Sequence, residues 1–331
     1  MKRREFITIL GGAVTYRAIA AVGQQIERAR RLGVLMGYAE SDPDAQTNVT
    51  AFQEALQTLG WVEGHNIQID VRWPIPANPD SMQRLAKVLV ALQPDVILSH
   101  ITPTTIALQE QTHSIPIVFA TVSDPVGSHL VASFARPGGN ITGFTSIEPT
   151  MPGKWLELLK EIAPRVTRVA LLFNPVTAPY AQFFLGPLKA AAQSSGVEVS
   201  AATVRDKTEL EPVIAAVARE PNSGLIVTPD SFLDVHRVEV TALASRYHAP
   251  AVYPFRQFAD VGGLLSYGNH QLDNWVRAAD YVNRILRGAK PSELPVQAPV
   301  KFELVINIRT AKALGLEVPL HLQQQADKVI E

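Results

Sequence analysis

Two aspartates stand where a β-branched run gives way to a loop: Asp124 in TVSDP and Asp230 in VTPDS. A carboxylate so placed has two uses. It pairs with a ligand ammonium, or it accepts the free N–H groups that open the next helix. At the ends of the other extended runs stand hydroxyls, amides and phenols: Tyr38, Ser99, Thr102, Thr121, Asn174, Tyr253 and Tyr267. Lys and Arg are scarce at these positions. Together they suit a small zwitterion such as an amino acid. A helix start at Thr102–Thr105 holds a carboxylate on backbone N–H groups without a cationic side chain. An aspartate takes the ammonium, and the tyrosines enclose an apolar side chain. Tyr253, inside VYPF, leans toward a core role, and His100 beside Ser99 suits a satisfied structural histidine as well as a cleft wall.

Other chemistries are excluded by type and spacing. The chain has no cysteine, so thiolate nucleophiles and thiolate metal sites are ruled out. Its eight histidines form neither H-x-H nor H-E-x-x-H, so no metal is expected. No glycine-rich phosphate loop and no G-x-S-x-G elbow occur, so no cofactor is expected either. A net charge of −1 gives no footprint for nucleic acid. The remaining alternative to a binding protein is a two-lobed enzyme that uses Asp124 or Asp230 in an interlobe cleft.

The elements that must position these residues alternate along the chain. Short β-branched runs at 31–36, 66–73, 94–99 and 115–120 are separated by segments of helical period at 48–60, 79–92 and 102–112. That order predicts a parallel sheet with crossover helices. The plan repeats from residue 168, with strands at 168–174, 197–204, 223–230, 250–254 and 262–268 and helices at 179–196 and 207–220. The 331 residues therefore read as two doubly wound α/β lobes of like design, with a ligand beyond the carboxyl ends of the strands. The Gly- and Pro-rich stretch 136–155 joins them, and Gly143, Phe144, Thr145 and Ser146 are the expected hinge.

Residues 1–23 read as an export signal. Lys2, Arg3 and Arg4 precede an apolar stretch from Phe6, and Ala18-Ile19-Ala20 supplies small residues before a cut. Paired arginines followed by an apolar run resemble a bacterial twin-arginine signal, which predicts a periplasmic protein.

Three blocks carry a family resemblance: KRREFITILGG at the head, IPIVFATVSDPVGSHLVASFARPGGNITGFTS over 115–146, and the tail from GGLLSYGNHQLDNW to LGLEVP over 262–319. They resemble the bacterial ABC-transporter substrate-binding proteins of the tryptophan/phenylalanine-binding type. The resemblance implies a type I periplasmic binding fold with three crossing segments. Lobe 1 would be 31–143 plus 268–300, and lobe 2 would be 144–267 plus 301–331. It also implies a non-catalytic, monomeric receptor that clamps an amino acid and delivers it to a membrane permease. The loops 99–105 and 174–180 belong to regions that vary in such proteins, so the resemblance does not carry over the identity of the solute.

Overall fold

The computed structural model describes residues 29–331, and the expected export signal lies outside them. The first lobe is built on a five-stranded sheet: β1 (Arg30–Leu35), β2 (Ile67–Arg72), β3 (Val96–Ile101), β4 (Ile117–Val122) and β5 (Ile141–Thr145). Their order is β2-β1-β3-β4-β5 and all pairs are parallel. Helices cover both faces of such a sheet, so its central strands carry unbroken apolar runs. VILSHI of β3 and IVFATV of β4 are accordingly buried at every residue.

The second lobe holds β6 (Arg168–Phe173), β7 (Glu198–Thr203), β8 (Ser223–Val227), β9 (Ala251–Tyr253), β10 (Leu265–Asn269), β11 (Phe302–Asn307) and β12 (Lys328–Ile330). The order is β12-β11-β10-β9-β8-β6-β7, and only β11 against β10 is antiparallel. Both lobes are thus doubly wound and α/β, the class expected from the strand–helix alternation.

Local chemistry sets the helix ends. The helix Pro43–Thr58 starts ahead of the expected 48, because Asp42 accepts the N–H groups of Asp44 and Ala45 and Pro43 fits the first turn. The helix Ala181–Ser195 stops at Gly196, whose φ of 61° lies in the left-handed region. Within the segment 136–155, the helix Met151–Ile162 begins at once, with Pro152 in its first turn, and buries Trp155 and Leu159.

The chain passes between the sheets after β5, after β10 and before β11. The helix Gln271–Leu286 follows β10 of the second sheet but packs on the first, where Trp275, Ala278 and Val282 join the core of β1, β3 and β4. Asn274 pins it there, donating to the carbonyls of Ala120 at 3.0 Å and Thr145 at 2.9 Å. These pairings shift two expected boundaries: 143/144 falls inside β5, and 267/268 falls inside β10.

The hinge expectation changes for the same reason. Gly143, Phe144 and Thr145 are strand residues of β5, and Phe144 is a core side chain packed on Tyr281 with ring centroids 4.8 Å apart. Gly143 has a φ of 152°, and a β-carbon there would collide with the Phe119 backbone. Its glycine serves close strand packing, not rotation. Of the four expected hinge residues only Ser146 stands at the exit of β5, and it is buried.

Candidate functional site

The carboxyl ends of β3, β4 and β5 face those of β6, β8 and β9, and a small cavity lies between them. Tyr38, Thr102, Thr121, Ser123 and Ser146 of the first lobe and Tyr180, Asp230, Ser231 and Phe255 of the second line it, with Gln271 at its side. Its free space is about 20 Å³. That is room for about one water molecule.

The first-lobe wall is neutral and tied to its own backbone. Thr121 donates to the His100 carbonyl at 2.7 Å, and the Thr102 hydroxyl accepts the Ser123 N–H at 3.1 Å. Ser123 and Ser146 share a hydroxyl contact at 3.2 Å. Ser99 is buried one layer deeper, against Thr104 and Thr105, and does not reach the cavity. Thr104 and Thr105 both donate to the Ile101 carbonyl at 2.9 Å, so their hydroxyls secure the start of the helix Thr102–Gln109. His100 is sealed beneath Tyr38 and above Trp275, with centroid distances of 4.8 and 5.0 Å. Burial pushes its pKa down to about 3, so it stays neutral.

The second-lobe wall is charged. Asp230 caps the helix Ser231–Val235, accepting the Phe232 N–H at 2.9 Å. It also accepts the Thr177 hydroxyl, and the Asn174 N–H at 2.6 Å. It caps a helix, one of the two uses foreseen for this aspartate, and it also lines the cavity. Burial pushes its pKa up to about 6, against the pull of these donors. Asn174 lies behind it, with its side chain holding Val176 N–H at 2.8 Å and the Arg205 carbonyl at 3.0 Å. Asp234, one turn on, is likewise pushed up to about 6 by burial. It accepts the Gln257 amide at 3.2 Å, and burial, followed by the nearby Asp234 carboxylate, pushes the pKa of Tyr38 in the opposite lobe up.

Ser99 and Asn174 thus stand behind the cavity wall, and three further expected residues are elsewhere. Asp124 accepts the Gly127 N–H at 2.8 Å within its own turn and is no part of the cavity. Tyr253 is 1 % exposed and stacks on Phe258 at 5.1 Å, in the core. Tyr267 stacks on Phe302 at 5.9 Å, on the flank of the second-lobe core. Their places beside the cavity are taken by Tyr180 and Phe255. Tyr180 comes from the β6 exit loop and donates to the Pro229 carbonyl at 2.7 Å.

The lobes also meet through charge. Arg237 binds Asp42 at 3.1 Å and Asp44 at 3.5 Å, across 195 and 193 residues of sequence. Arg237 and Asp42 side chains are 15 % and 17 % exposed, so the pair is largely withdrawn from water. Among the described residues no cluster of histidines and carboxylates could hold a metal ion, and no helix is long and apolar enough to cross a membrane.

Comparison with known proteins agrees with this geometry. The Tyrosine-binding protein of Clostridioides difficile (strain R20291) is 26 % identical over 269 residues, spanning 80 % of this chain and 76 % of that protein. The crystal structure of an ABC domain in complex with L-Trp from Streptococcus pneumoniae is 25 % identical and superimposes with a TM-score of 0.82, covering 91 % of this chain and 99 % of that one. A ligand-free, open substrate binding protein with adhesive properties from Clostridium difficile, 24 % identical, covers 91 % of this chain and 99 % of its own with a TM-score of 0.68. The sequence pattern of the ABC transporter substrate binding protein family matches residues 39–330. A small cavity enclosed between two α/β lobes and a match over nearly the whole described chain lead to one conclusion: this chain belongs to the ABC transporter substrate binding protein family and is a binding protein, not an enzyme.

Proposed function

We propose that the chain is the periplasmic receptor of an ABC importer, exported by a twin-arginine signal, which clamps one amino acid between its lobes as a monomer and delivers it to the permease in the closed form. The observation that carries this reading is the asymmetry of the cavity. One wall offers hydroxyls at a helix start, and the other offers a buried carboxylate. A ligand carboxylate faces Thr102, Thr121, Ser123 and Ser146, where the opening turn of Thr102–Gln109 favours negative charge. The ligand ammonium faces Asp230. The lone pairs of that aspartate are occupied by its own lobe, so its charge attracts while Ser231 Oγ, buried and without a partner, accepts the hydrogen bond. Tyr38, Tyr180 and Phe255 surround the side chain, and the tryptophan and tyrosine named for the relatives support an aromatic one. A solute of that size enters only when the lobes separate at the three crossings.

The test is titration calorimetry of the purified protein with the L-amino acids, followed by mass spectrometry of the recovered solute. Saturable one-to-one binding of an amino acid returned unchanged is the expected result. No heat with any of them, or a chemically altered product, would refute the reading.

A further inference from the structure

Beyond Gln271 the cleft continues. That side chain lines a second cavity of about 240 Å³, bounded by Asn48 on the helix Pro43–Thr58, by Arg256 and Gln257 on the helix Arg256–Asp260, and by Asn269 at the end of β10. Asn269 is 6 % exposed, and neither its carbonyl oxygen nor its amide nitrogen has a hydrogen-bond partner. Buried carboxamides are nearly always bonded, because leaving both ends bare costs their full desolvation. The charges around this cavity are already paired. Arg256 is held by Asp260 at 3.1 Å and Glu303 at 2.8 Å, and Asp44 faces Arg237 at 3.5 Å. What is left unmet is one neutral group that both donates and accepts.

Two cavities sharing one wall residue therefore each hold a bare buried polar side chain: Ser231 in the first and Asn269 in the second. We propose that they form one extended ligand site, and that Asn269 is its specificity residue. The charged head of the solute lies against Asp230 and Ser231. Its side chain passes Gln271 and ends at Asn269 in a neutral group that donates and accepts, either a phenol hydroxyl or a carboxamide. This rests on the amino-acid reading above and narrows it. A site built around a donor–acceptor pair rejects the analogue that lacks it, because its own polar group is then left bare.

Calorimetry with two matched pairs tests the assignment: L-tyrosine against L-phenylalanine, and L-glutamine against L-methionine. The wild-type protein should prefer the polar member of one pair by at least about tenfold, and which pair responds tells hydroxyl from carboxamide. Asn269→Leu should abolish that preference by weakening the polar member while the apolar member keeps its affinity. Equal binding within both pairs by the wild-type protein overturns the proposal, and that arm needs no variant to fold. So does a preference that survives in Asn269→Leu. Amino acids that bind without discrimination remove only this inference, whereas no amino-acid binding at all removes the receptor reading with it.

Discussion

The two walls of the cleft are made differently. Thr102, Thr121 and Ser123 are fixed by bonds to β3, β4 and the turn between β3 and its helix, all inside one lobe. Nothing on that wall changes charge near neutrality, since His100 beneath it is held to about 3. The opposite wall depends on distance. Asp230 joins the β6 exit loop to the β8 exit loop across 56 residues, and Arg237 pairs with Asp42 of the other lobe. The first-lobe wall of the cavity is therefore a neutral platform fixed within its own lobe, and the second-lobe wall is a charged jaw. The ion pair that joins the lobes takes its cation from the second and its carboxylates from the first.

The most direct way to break this contrast is to remove the anchor of the jaw. Asp230→Ala leaves the Asn174 and Phe232 N–H groups and the Thr177 hydroxyl buried and bare. Stability should fall by about 3–5 kcal/mol in urea unfolding. Ser123→Ala, on the platform, should cost no more than about 1 kcal/mol. Equal losses at the two positions would mean that the walls are not built differently.

Closure itself is next in size. Arg237→Leu removes the cation shared by Asp42 and Asp44 and leaves the Asp42 charge unrelieved beside Asp234. Truncating one member of a largely buried pair should weaken the closed form by about 2 kcal/mol. Ligand affinity should drop by about thirtyfold, and the radius of gyration from X-ray scattering should rise in the presence of ligand. The unfolding midpoint without ligand should barely move, because the pair joins the lobes and not the core of either. Unchanged affinity and radius would show that the bridge follows closure without stabilising it.

The same contrast explains what could be read in the sequence. The platform is local: β3 and β4 are continuous apolar runs, and Thr102 and Thr121 stand directly at their ends, so strand, helix start and wall residue were visible within a few positions. Asp230 was visible for the same reason, as a cap and turn signal after β8. Asp124 carries the same signal and resolves the other way, since its oxygen is used within its own turn. Period-2 patterning reveals that Tyr253 and Tyr267 alternate with their neighbours, but not which face of the sheet looks into the cleft, and both point to cores. The hinge was misplaced because Gly143 marks close strand packing, which in sequence looks like freedom to bend. Asp234, Arg237 and Asn269 carried no local sign. Arg237 pairs with carboxylates 195 and 193 residues away, Asp234 accepts from Gln257 across 23 residues, and Asn269 has no hydrogen-bond partner among the described residues, and spacing in one chain does not encode that.

The finest test uses pH, because the two carboxylates raised to about 6, Asp230 and Asp234, both lie on the jaw. Asp230 and Asp234 have folded values of about 6, above the value of about 3.9 for an unfolded aspartate. The stability such groups contribute is fully present below about pH 4 and is lost as the pH rises through 6. Acidifying from pH 7 to pH 5 should thus relieve the ligand-free protein at these two positions while removing the charge proposed above to draw a ligand ammonium. The surrounding groups do not reverse this. Arg237 keeps its charge, Asp44 is itself raised by burial, and His100 and His236 are both lowered by burial. Affinity for an L-amino acid should fall by about tenfold between pH 7 and pH 5 in calorimetry. The ligand-free thermal midpoint should hold or rise over the same window. Opposite movement of the two quantities is what a neutral platform facing a titrating jaw requires. Parallel movement would mean that the pH-sensitive groups lie in the scaffold and not in the cleft.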